Sequence, residues 1–247
     1  GNYPFFHGTD RGLSSNYFRP GFTQGVWANG EPLPGFNYIA MLGNSLNTLD
    51  IKSANIDNHF AASVSIWYDR NDFGQPWNDY EHHDAVALRV GGAATWAHED
   101  RLSDLNEAGP ENNATFISDG LFLFETGALG PGTTISLANF YLWAIDGGIK
   151  YKGFSFEAEV YQRWLSDYAG TGTDVIEDID DNGFQVQVSG MAVRDVLQVY
   201  AGHSQILGDF GDAWEARLGA NWYVRKERGL RLNAEWLHLN DCPVGYT

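Results

Sequence analysis

The chain has 247 residues, with 32 acidic against 15 basic side chains and a formal charge of −17. That balance excludes the basic footprint of a nucleic-acid binder, and 43% hydrophobic with 15% aromatic residues is too apolar for a disordered acidic chain. The single cysteine, Cys242, excludes an internal disulfide framework and any multi-cysteine metal site.

The longest charge-free run, 126–145, contains Gly127, Gly130, Pro131 and Gly132, so it does not read as a membrane-spanning helix. Residues 1–10 lack a basic stretch followed by an apolar one, so any export signal is expected to have been removed or to lie upstream.

Aromatic and β-branched residues cluster in segments that alternate in polarity every second residue, which is the period of strands. Ten strands are expected near residues 22–30, 36–44, 59–69, 81–96, 139–149, 154–165, 183–192, 196–205, 213–224 and 230–239. Turns are expected at 31–35, 70–80, 150–153, 193–195 and 225–229, and longer loops at 45–58, 97–138 and 166–182, with a short one at 206–212. This rhythm, with no Pro- or Ser-rich linker, predicts one all-β domain over residues 1–247, an antiparallel up-and-down meander.

Each strand has one apolar and one polar face. Phe184, Val186 and Val188 oppose Gln185, Gln187 and Ser189; Trp214, Leu218 and Trp222 oppose Glu215, Arg217 and Asn221. A β-sandwich turns such apolar faces inward, whereas a transmembrane barrel turns them toward lipid and its polar faces toward a lumen. Trp96, Trp143, Trp164, Trp214, Trp222, Trp236, Tyr68 and Tyr141 fall on the apolar faces, many near strand ends, where a bilayer interface suits them. The polar faces carry Arg89, Lys150, Arg163, Arg217 and Arg231 together with Asp146, Glu157, Glu159, Glu215 and Glu235. A lipid-facing Arg at mid-bilayer costs about 2–4 kcal/mol, so these ten residues are expected to face water, as pore lining or as the solvated side of a soluble sheet.

The stretches Tyr17 to Glu31 (YFRPGFTQGVWANGE), Met41 to Thr48 (MLGNSLNT), Ser118 to Gly132 (SDGLFLFETGALGPG), Ala144 to Phe154 (AIDGGIKYKGF) and Leu218 to Val224 (LGANWYV) resemble bacterial outer-membrane porins of the phosphate-selective O and P family. The resemblance implies a transmembrane barrel of about sixteen strands, a homotrimer in the bacterial outer membrane, and passive diffusion of small hydrophilic solutes or ions, anions such as phosphate among them. On this expectation the chain is an internal portion of a longer protein, its partners are the lipid bilayer and lipopolysaccharide, and it has no cofactor and no enzymatic activity. Five charges of each sign on the polar faces instead point to weak selectivity or another solute.

The long connection 97–138 is read as folding inward to narrow the pore, anchored by Leu121, Phe122, Leu123 and Phe124 against Phe140 and Leu142, or else as packing at a trimer interface. Glu157 and Glu159 share one side of a strand, which suits a glycosidase pair, although charging the pore wall is the simpler role. Asp178, Asp180 and Asn182 match the first half of a calcium loop, but its twelfth position is Ser189, and a strand-entry turn rich in Asp and Asn accounts for them better. The 166–182 loop carries six acids and no base, and 97–138 seven acids against Arg101, which suits divalent cations shared with lipopolysaccharide. His82 and His83 beside Glu81 and Asp84 read as a solvated turn. Two other classes stay open: a secreted β-sandwich that binds or cleaves polysaccharide, and a structural β protein whose pore is plugged.

Overall fold

The computed structural model describes residues 11–19, 23–46, 59–100 and 123–241. A short helix, α1 (Leu13–Tyr17), precedes β1 (Gly25–Leu33), β2 (Phe36–Asn44), β3 (Phe60–Arg70), β4 (Ala87–Asp100), β5 (Thr134–Tyr151), β6 (Phe154–Thr171), β7 (Ile179–Val193), β8 (Leu197–Gly208), β9 (Trp214–Tyr223) and β10 (Arg231–Asn240). All ten strands form one antiparallel sheet in sequence order, and the sheet is not closed. Among the described residues the strands form this one sheet and not the two stacked sheets of the sandwich alternative.

Hairpin geometry follows from the turn residues. Between β5 and β6, Lys152 at φ 48 and Gly153 at φ 85 make a two-residue loop with both residues left-handed, whose twist matches that of the strands it joins. The end of the sheet bearing this loop is called the turn end, and the opposite end the loop end.

Among the described residues the sheet buries much of its polar face and exposes its apolar one. Arg163 is 1% exposed, Lys150 0% and Glu215 1%, whereas Leu218 is 59% and Trp236 60% exposed. The polar face is covered because three segments lie on it. At the loop end, Leu123 and Phe124 pack with Leu46, Ala61, Ala97, Ile135, Phe140 and Leu165. Next to this cluster, α1 and Phe18 sit over β7 and β8, with Leu13, Tyr17 and Phe18 against Tyr161, Ile206 and Ala213. At the turn end, the 71–86 connection buries Phe73, Trp77, Asn78 and Asp79.

Several boundaries differ from the sequence reading. The β5–β6 hairpin is longer than expected because pairing continues past register shifts between Ile135, Leu137 and Asn139, where the two-residue alternation changes phase and the strand signal is lost. β7 begins at Ile179 rather than 183, since Asp181 faces inward and an Asp-rich stretch reads as a turn. Residues 81–86 belong to the inserted connection, not to β4. The Tyr17–Glu31 motif does not begin as a strand: Tyr17 ends α1, and strand structure starts at Gly25.

Candidate functional site

All ten charged residues read as pore lining lie on the covered polar face, buried or half-buried. Antiparallel pairing sets Asp69 opposite Arg89, and the guanidinium grips that carboxylate with two bonds, Nε to Oδ1 at 2.6 Å and Nη2 to Oδ2 at 2.7 Å. Asp146 stands opposite Glu159, which accepts from the Tyr161 hydroxyl and the Gln185 amide. Arg163 pairs with Asp181 across the β6–β7 register, donates to the Tyr17 hydroxyl, and lays its guanidinium carbon 4.4 Å from the Tyr17 ring centre. Burial, supported by Asp181 and opposed by Arg163, pushes the Tyr17 hydroxyl up, so it stays protonated.

On β9, Arg217 donates to Glu215 at 2.6 Å and to the Arg11 carbonyl at 3.0 Å, and it lies 3.9 Å from Glu235, which accepts from Tyr200 at 2.7 Å. Arg231 is half-buried on β10 opposite Tyr223.

The inserted 71–86 connection is fastened to the polar face from several sides. Lys150 donates to the carbonyls of Phe73, at 2.9 Å, and Gln75, with its ammonium 4.3 Å from the Phe73 ring centre. Glu157 accepts the Trp77 N–H. Asp79 accepts from the N–H of Gly153 at 2.6 Å and from the His83 ring, whose other nitrogen is 2.9 Å from the Asp72 carbonyl. Arg228, from the β9–β10 turn, reaches Asn78 at 2.7 Å and Glu81 at 2.6 Å. Trp77 is held at φ 75, a left-handed conformation that costs a bulky residue about 1–3 kcal/mol and persists only where the surroundings impose it.

His83 therefore faces acceptors at both ring nitrogens, an arrangement only the imidazolium satisfies with two donors. Burial alone lowers its proton affinity, but the Asp79 hydrogen bond, the Asp72 carbonyl and the Asp79 charge outweigh it, and the net direction is up.

A cavity of about 250 Å³ opens between this connection and the sheet, lined in part by Trp67, Arg89, Asp146, Glu157 and Glu159. Sequence reasoning grouped these charges but missed Trp67, Phe73 and Trp77. For Trp67 a signal existed: it is the one large apolar residue in phase with Ser63, Ser65 and Asp69. Two apolar rings, Phe73 and Trp77, inside an otherwise polar turn were the signal for insertion.

Leu123 and Phe124 are buried beside Phe140, with Leu142 packed against the same cluster; Leu121 and Phe122 lie outside the described residues, as do 101–120 and Cys242. Asp178 precedes β7, and Asp180 and Asn182 lie within it, alternating with inward-facing Asp181 and not wrapped as an ion loop. Asp180 is bonded by the Asn182 amide at 3.0 Å. Among the described residues no group of three His, Cys, Asp or Glu is placed to hold a metal ion. His82 and His83 sit in the inserted connection, not on a strand.

No protein-family model, no curated protein and no solved structure matches the chain.

Proposed function

We propose that this chain forms the wall of an outer-membrane porin, a water-filled path for passive diffusion of small hydrophilic solutes or ions. The observation that carries the reading is the inside-out sheet: charged residues buried on one face and apolar residues exposed on the other. From Phe154 to Trp164 on β6, Leu197 to Leu207 on β8, Trp214 to Trp222 on β9 and Leu232 to His238 on β10, no outward position carries Asp, Glu, Lys or Arg. Trp214 and Trp222 bracket the outward face of β9 about 27 Å apart along the strand, which at a tilt near 40° spans about 20 Å of the apolar band of roughly 25 Å.

In this reading the free edges of β1 and β10 are covered by further strand pairing, because unpaired backbone groups in hydrocarbon cost several kcal/mol each. The barrel is then family-like, the assembly a homotrimer, and the acidic connections at the loop end face lipopolysaccharide.

The test is reconstitution of the full chain in a planar bilayer. Stepwise conductance is expected, and its reversal potential in asymmetric salt reports the ion preference. A preparation that stays in solution without detergent and gives no steps overturns the reading. One observation favours a second reading, a plugged structural β protein: three segments already cover the polar face. Detergent-dependent solubility without conductance selects it.

A further inference from the structure

We propose that the cavity beneath the inserted connection binds a small polyol of monosaccharide size; this names a solute class for the path described above and rests on that reading for its role in transport. Gly91 and Gly148 carry no side chain on the polar face, which lets the lining residues Asp146, Trp67 and Phe73 close in around the cavity. A Cβ at Gly91 would lie 2.8 Å from Asp146 Oδ1 and 3.0 Å from Trp67 Cβ, and one at Gly148 would lie 2.7 Å from the Phe73 ring. Trp67 from β3 and Trp77 from the connection are among the residues that line the cavity.

The polar lining is of two opposite kinds. Asp146, Glu157 and Glu159 are acceptors when ionised, whereas the Arg89 guanidinium only donates. A small anion entering here meets carboxyl groups, and the Arg89 guanidinium that would attract it is already held by Asp69. Hydroxyl groups both donate and accept, so a ring bearing several is served by both kinds at once while its C–H face rests on indole. At about 250 Å³ the cavity is below the roughly 300–1,000 Å³ of sites for larger ligands, which selects a single small ring over an oligosaccharide. Trp77 keeps its left-handed backbone in that wall, the kind of strain that concentrates at ligand sites.

The experiment titrates glucose into the detergent-solubilised full chain while following tryptophan fluorescence, with inorganic phosphate and putrescine titrated in parallel. A saturable glucose response is expected, with phosphate and putrescine at least tenfold weaker. Trp67→Leu and Asp146→Asn should each weaken glucose binding at least tenfold with an unchanged far-ultraviolet circular dichroism spectrum. Should Trp67→Leu fail to fold, Asp146→Asn, which keeps the side chain's shape, decides alone. No saturable response to glucose, a stronger response to phosphate or putrescine, or unaltered affinity in the folded variants overturns the proposal. Planar-bilayer conductance separates the two readings: glucose binding without channel steps removes the transport role and leaves the site, whereas steps without glucose binding remove the site alone.

Discussion

At Gly148 an added Cβ would lie 2.7 Å from both Phe73 Cζ and Glu157 Cγ, the ring and the stem that seat the inserted connection. Gly148→Val should lower stability by about 1–3 kcal/mol through overpacking and expose Phe73, Trp77 and Tyr80 to chymotrypsin. An unchanged melting midpoint with 71–86 uncut would show that the connection does not depend on this close approach. The Arg163–Asp181 pair is a second test, since its side chains are 1% and 0% exposed. Asp181→Leu alone leaves a buried guanidinium uncompensated and should cost about 3–5 kcal/mol, while Arg163→Met together with Asp181→Leu should lie near the parent. Urea unfolding in detergent measures both, and equal losses in the single and double variants would remove the pairing argument. Sequence placed Arg163 on the polar face from alternation alone, but Asp181 was read into a loop, so their partnership was invisible until β7 gained its first residues.

Among elements, the ten strands were legible because most of their length alternates in polarity, whereas the contrast between short turns and longer loops fails at the 71–86 connection. Of the inserted 71–86 connection, the part up to residue 80 was legible as a turn and 81–86 read as strand, because its burial depends on Lys150, Glu157 and Arg228, residues remote in sequence. Protonated His83 helps fasten it by bonding Asp79, which in turn holds Gly153 N–H. Since the folded His83 pKa is raised, its stabilisation is complete below the unfolded value of about 6.5 and is lost as pH rises through the folded value. Hydrogen exchange at the Gly153 amide should therefore gain protection, beyond its intrinsic pH dependence, as pH falls through that window, and His83→Gln should abolish the gain. A pH-independent protection factor in the parent would remove this contribution.

For the whole molecule, the direction of the apolar face is the property that separates a lipid-exposed sheet from a soluble one. Leu218 is 59% exposed near the middle of β9. In a bilayer Leu218→Arg should cost about 2–4 kcal/mol, whereas on a water-exposed surface the same change usually stays within about 0.5 kcal/mol. Folding titrations in lipid vesicles read the difference, and a loss below about 0.5 kcal/mol would argue against lipid contact. Alternation showed that each strand has two unlike faces, but which face is covered depends on segments far along the chain, and no local pattern encodes that. Edge closure was equally illegible, since nothing within a strand specifies its partner.

The seat of α1 carries a consequence for the order of assembly. Ser14 is bonded to the carbonyls of Phe184 and Gln205 and to the Ser204 hydroxyl, 170 to 191 positions later in the chain. Each strand, by contrast, pairs with its neighbour in sequence, so hairpins can zip up from local contacts. The helix that precedes all ten strands in sequence has no dock until β7 and β8 are in place, so it is among the last parts to settle.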